Sequence, residues 1–173
     1  MNNQNVLAMD RSRIISAVWV VTLVGVAMLA PLLHQQLITG TIVNATLFVA
    51  AIILGRRMGI MVGIIPSVIA LTVGTLPAVL APMVPYIMLS NALLILVFIF
   101  LKDKNYWLAV CAASFSKFIF LYMVSAFVFG VLTQKVLATM IAQMMSWPQL
   151  ITALAGGTLA WIVYYKKAEK GYK

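Results

Sequence analysis

What most limits this chain is a succession of apolar runs, each near the length that crosses a bilayer and each closed by a short polar or basic segment: 14–33, 41–54, 59–75, 85–101, 106–132 and 148–165. In lipid a backbone has to satisfy every N–H and C=O within its own segment, so spanning runs of about 20 apolar residues become helices. A compact water-soluble fold has no interior large enough for 173 residues that are 64% hydrophobic and 9% charged, with mean hydropathy +1.09; soluble domains carry roughly a quarter charged residues. The expectation is therefore an all-α integral membrane protein of six transmembrane helices. It has an N-terminal segment at 1–13, one transmembrane domain at 14–165 and a basic tail at 166–173. The first run reads as a helix rather than a cleaved signal, because it outlasts a signal's apolar region and no small-residue cleavage pattern follows it.

Local signals set the boundaries. Gly55-Arg56-Arg57 ends the second run, and prolines at 77, 82 and 85 make 76–85 an apolar loop or re-entrant turn, with Pro85 opening the next helix. Segment 133–149 places apolar residues at 136, 137, 140, 141, 144 and 145 among polar ones, the spacing of a short interfacial helix.

Charge then orients the spans. The 12 basic and 3 acidic residues give +9. Six alternating spans put Arg11, Arg13, Arg56, Arg57, Lys102, Lys104, Lys166, Lys167, Lys170 and Lys173 on one side, ten of the twelve bases. Positive charge is retained on the cytoplasmic side, so both termini are expected there. Only Lys135 and His34 fall opposite, and Lys117 lies within a run.

Several chemistries are excluded by what the sequence lacks. The lone Cys111 allows neither an intrachain disulfide nor a thiolate metal site, and no HExxH, GxSxG or glycine-rich phosphate loop occurs. No cofactor and no enzymatic activity are expected. Asp10, Asp103 and Glu169 all fall in cytoplasmic segments, so no membrane carboxylate serves a coupling ion, and active transport would need another subunit.

Lys117 follows Tyr106 by eleven residues, which at about 1.5 Å per residue sets it roughly 16 Å along its helix, near mid-bilayer. A lysine there costs about 2.5–3.5 kcal/mol even on insertion scales and requires a partner. With no acid at that depth, either an anionic or carbonyl-rich ligand partners the lysine, or it satisfies itself on backbone carbonyls and hydroxyls or sits neutral. Asn44, Asn91 and Gln149 enter the same half from the outer side and, with Lys117, would line an outward pocket for a small polar ligand, with His34 and Gln36 in the first outer loop as its cap. The competing role for each amide is to join neighbouring helices, at about 1 kcal/mol apiece.

The segment Gln36-Leu37-Ile38-Thr39-Gly40-Thr41-Ile42-Val43-Asn44-Ala45, the turn Gly55-Arg56-Arg57-Met58-Gly59 and the proline-rich 77–85 resemble the loop, inner turn and lid of S-components of energy-coupling factor (ECF) transporters. The resemblance extends over essentially the whole chain and implies a membrane subunit that captures a vitamin or related micronutrient. It implies as partners a transmembrane coupling protein and two ATPase subunits. Such subunits dock through a small-residue seam on the first helix; here Ser12, Ser16, Ala17 and Gly25 offer one, interrupted by Val20, Val21 and Leu29. The rival readings are a structural or assembly subunit of another membrane complex and a small intramembrane enzyme, and Lys117 with its amides discriminates among them.

Overall fold

The computed structural model of the chain describes residues 3–33, 35–73, 78–131, 139 and 144–171. Among these there is no strand. The helices are α1 (Asn3–Leu29), α2 (Gln36–Val73), α3 (Val84–Leu101), α4 (Tyr106–Val131) and α5 (Trp147–Gly171), with 3₁₀ turns at Ala30–Leu33 and Ala78–Met83.

The long α2 is two helices joined at one residue. Gly55 has φ 76° and ψ −168°, a region essentially reserved for glycine, and the chain reverses there. Gly59 lies against Ala51, and Gly63 against Leu47, so the arms 36–54 and 56–73 form a tight antiparallel hairpin. The sequence boundary at Gly55-Arg56-Arg57 therefore coincides with the turn. The first arm, however, starts at Gln36 rather than Thr41. Residues 36–40, expected in a loop, are helical, and the Thr39 hydroxyl ties this new turn to Ala30 O (2.9 Å).

Other boundaries follow their local chemistry. Pro85 sits in the first turn of α3, where its missing N–H is not needed. Asn105 caps α4, its Oδ1 accepting from Leu108 N (3.0 Å). Around Pro82 the chain adopts a 3₁₀ turn in place of α-helix. At the C-terminus α5 runs on through Lys166-Lys167 to Gly171, past the expected stop at Tyr165, because lysines can end an apolar run without ending a helix. The predicted interfacial helix 133–149 and Lys135 lie largely outside the described residues.

Successive segments alternate in direction. Gly63 beside Asn91 and Gly59 beside Ile95 make the second arm antiparallel to α3. The short 102–105 turn reverses α3 into α4, and Gly157 packs against Val110, with Tyr106 beside Trp161, to reverse α4 into α5. The first arm and α5 run parallel: Gly40 meets Thr152, Asn44 meets Gly156, and Lys167 Nζ donates to Ile52 O (2.5 Å). That last bond places a cation on the terminal carbonyls of the first arm, where helix polarity favours it.

The first arm is the hub. Asn44, Thr46, Leu47, Phe48, Ala50, Ala51 and Ile52 are all buried, covering every face of the helix. The main core joins Leu47 and Phe48 to Leu94, Ile95 and Phe98 of α3, Tyr106, Ala109 and Val110 of α4, and Ala153 and Ala160 of α5. α1 is peripheral, meeting the hairpin through Leu23, which clusters with Ala50 and Val62.

Among the described residues three stretches are long and apolar enough to cross a membrane: Gln36–Ile65, Ala81–Leu101 and Tyr106–Phe127. This is fewer than the six spans read from the sequence. Gln36–Ile65 contains the Gly55 reversal, and Arg13–Leu29 is apolar but shorter. The α5 helix is less apolar because Gln149, Thr152, Gly156, Gly157 and Thr158 punctuate it, of which Thr152, Gly156 and Gly157 lie where it crosses the first arm and α4.

Candidate functional site

Five segments converge on one polar cluster in the half of the bundle away from Gly55, four through side chains and the second arm through the Gly63 carbonyl. On α4 the buried positions recur at 106, 109, 110, 113, 114, 117, 121 and 125, a stripe at helical spacing, and Lys117 occupies its middle. On α3 the buried stripe contains Ser90, Asn91, Leu94, Ile95 and Phe98. The first arm contributes Asn44 and α5 contributes Thr152.

Lys117 is 3% exposed. Its ammonium donates to Asn44 Oδ1 (2.8 Å) and to Asn91 Oδ1 (2.7 Å). Each amide is held by its other end: Asn44 Nδ2 donates to Thr152 Oγ1 (3.2 Å), and Asn91 Nδ2 donates to Gly63 O (3.0 Å). The Thr152 hydroxyl in turn donates to Gln149 O (3.2 Å). These bonds fix the amide orientation, since only the oxygens can face an ammonium. One cation thereby joins both arms of the hairpin to α3, α4 and α5.

Two polar functions in this cluster are left over. An ammonium has three protons, and Lys117 uses two of them on partners among the described residues. The Ser114 hydroxyl, three residues earlier on the same face, is fully buried and has no hydrogen-bond partner among the described residues. Buried polar atoms are nearly always paired, so an unpartnered hydroxyl on the same helix face as Lys117 stands out.

The other predicted residues lie elsewhere. Gln36 is exposed and donates through Nε2 to Met144 O (3.1 Å), and Gln149 Nε2 donates to the same carbonyl (3.1 Å). These two side chains pin the segment before α5 to the start of the first arm and make no bond to Lys117. His34 is outside the described residues. On α1, Ala17 is exposed, Ser16 is half-buried and Gly25 faces open space, while Ser12 lies within the helix. Sequence reasoning missed Thr152 and Ser114. Both carried a usable signal, as each lies three residues from a residue already singled out, Gln149 or Lys117.

No group of three or more His, Cys, Asp or Glu that would hold a metal occurs among the described residues, and Cys111 is exposed. The Lys102–Asp103 pair, at 2.6 Å, is the one ion pair among them, far from Lys117 at the Gly55 end. Among the described residues the polar cluster is thus a buried lysine amine held by two amide oxygens, with no carboxylate bonded to it. No protein-family model matches the chain, and neither a curated protein nor a solved structure matches it.

Proposed function

We propose that the chain is a multi-pass protein of the bacterial or archaeal cytoplasmic membrane, with six spans and both termini inside, acting as the substrate-binding S-component of an ECF-type importer. Its ligand is a small vitamin-like molecule with an anionic or carbonyl-rich group, captured from outside and passed on with a coupling protein and two ATPases. The observation that carries this reading is Lys117, a buried lysine that among the described residues bonds two amide oxygens and no carboxylate, three residues along the same buried stripe from the unpartnered Ser114 hydroxyl. Alternating helix directions support the topology, because they bring Arg56, Arg57, Lys102 and Lys104 to one end with Lys166 and Lys167. The exposed apolar faces of Ile14, Val18 and Val21 on α1, and of Phe115, Ile119 and Met123 on α4, suit lipid contact.

A second reading, a structural or assembly subunit, is favoured by one fact: the two amides already satisfy most of the lysine's demand. In that case Lys117 only locks the helices together. The readings separate on small molecules released from the chain purified from native membranes, identified by mass spectrometry, for wild type and Lys117→Met. A retained anionic metabolite lost about ten- to a hundredfold in the variant, the scale of one charge-assisted hydrogen bond, supports the S-component reading. An identical small-molecule complement in both proteins would assign Lys117 to structure alone.

A further inference from the structure

The hairpin apex and α3 together make a second site, of a different kind. A cavity of about 400 Å³ opens beside the Gly55 reversal and is lined by Arg56, Leu96, Val97, Ile99 and Phe100. Its walls are hydrocarbon. Leu96 and Phe100, one turn apart on α3, are 41% and 76% exposed, so the groove is reached from the bundle's periphery rather than from its core. At its rim stands one guanidinium. Arg56 is exposed and makes neither a hydrogen bond nor an ion pair among the described residues. The nearest acid in sequence to this wall, Asp103, is taken by Lys102 at 2.6 Å. A second cation borders the same wall, with Lys104 Nζ 5.9 Å from the centre of the Phe100 ring.

We infer that this groove seats one anionic phospholipid, its acyl chain along Leu96, Val97 and Phe100 and its phosphate on Arg56. The inference rests on the membrane reading above but is independent of what Lys117 binds. Charge complementarity selects the occupant. An unpaired guanidinium at the level where a hairpin leaves the apolar layer presents a rigid fork of donors that matches two phosphate oxygens, and Lys104 adds a point charge that favours a net-negative headgroup over a zwitterion. A peptide helix would need more area than five residues provide, and a soluble anion would leave the apolar wall uncovered. The Gly55 conformation gives the arrangement its purpose: only that reversal brings the first residue of the second arm level with the end of α3.

The test uses the purified full chain in detergent and native mass spectrometry, with phosphatidylglycerol, phosphatidylcholine or glycerol 3-phosphate added in turn. Phosphatidylglycerol should remain bound about tenfold more than phosphatidylcholine, and glycerol 3-phosphate should not displace it. R56Q should reduce phosphatidylglycerol occupancy about tenfold, on the scale of one charge-assisted contact, whereas R57Q should not. L96W, which fills the groove from an exposed position, should exclude the lipid without touching the cation. Equal occupancy of the two lipids on wild type, or unchanged phosphatidylglycerol occupancy in R56Q, would overturn the inference. Displacement by glycerol 3-phosphate would also overturn it, by reducing the site to a headgroup contact. Failure of the chain to insert into bilayers would instead count against the membrane reading itself.

Discussion

The same segments build both halves of this bundle, and they build them from opposite materials. Toward Gly55, Phe48 of the first arm, Phe98 of α3, Tyr106 of α4 and Trp161 and Tyr164 of α5 stack edge and face, with ring centres 4.6–5.6 Å apart. One turn or more away along each helix stand Asn44, Asn91, Lys117 and Thr152. In the aromatic half, contacts are many and interchangeable, and the polar atoms are at its edges. In the polar half each bond joins geometrically defined partners, and among the described residues one hydroxyl has none. The first is a clamp, tolerant of modest change. The second is specific and, in Ser114, incomplete among the described residues, which is why the proposed function is placed there.

The two halves meet where α5 crosses the first arm, and the largest effect is expected there. A methyl group on Gly156 would stand 2.6 Å from the Ala45 backbone nitrogen and 2.8 Å from Asn44 Cβ. Backbone does not yield as a side chain does. Gly156→Ala should therefore cost about 3 kcal/mol or more, at the upper end of overpacking, and move Asn44 off Lys117 at the same time. Thermal unfolding in detergent is the check; a midpoint equal to wild type would show that the helices do not approach this closely.

Next comes the polar half itself. Asn44→Leu removes one of the ammonium's two acceptors and should cost about 1.5–3 kcal/mol, the scale of a charged hydrogen bond. The informative measurement is the double variant with Lys117→Met. Once the cation is gone the leucine has nothing to deprive, so the double variant should be more stable than Asn44→Leu alone, with a coupling energy of at least about 1 kcal/mol. Strict additivity would mean that the two residues do not share a bond.

In the aromatic half, Tyr106→Phe deletes the hydroxyl that donates to Gly157 O at 2.6 Å while leaving the ring stack whole. The loss should be about 1 kcal/mol, since a single neutral bond is removed from an otherwise intact cluster. A cost above that of Asn44→Leu would reverse the assignment of clamp and specific site.

How far the sequence foretold this contrast depends on the residue. Lys117, Asn44 and Asn91 were brought together by depth alone, because rise per residue along an apolar run converts number into height and a mid-run cation demands acceptors at its own level. The hairpin at Gly55-Arg56-Arg57 was legible because a glycine followed by two arginines both ends an apolar run and permits reversal. Gln149 lay at a plausible depth yet turns its amide to Met144 O, and Gln36 does the same, since rise along a helix gives height but not azimuth. Thr152 and Ser114 escaped for a related reason. Small hydroxyls occur throughout such helices and ordinarily bond back to their own turn, as Thr46 does to Ile42 O. Whether one faces a neighbour is decided by the crossing of α5 on the first arm, which rests on Gly40 and Gly156 rather than on any local pattern. The α5 helix, read as the sixth span, is not among the three stretches long and apolar enough to cross a membrane, and Gly156 and Gly157, which let it pack closely, add no hydropathy.

The smallest expected effect is also the one that most sharpens the contrast, because it predicts a sign. Ser114 Oγ is buried without a partner among the described residues, so its hydroxyl carries a desolvation cost that no bond among them offsets. Ser114→Ala removes that atom and leaves a void no larger than an oxygen on the α4 stripe. Stability should stay within about 0.5 kcal/mol of wild type or rise by up to about 1 kcal/mol, unlike any hydroxyl deletion in the aromatic half. If the hydroxyl is retained for a ligand, the same variant should bind the molecule recovered from the wild-type chain several-fold more weakly while unfolding no earlier. A protein that unfolds about 1 kcal/mol more easily would show that Ser114 has a structural partner after all, and the polar half would then be complete in itself, as the aromatic half is.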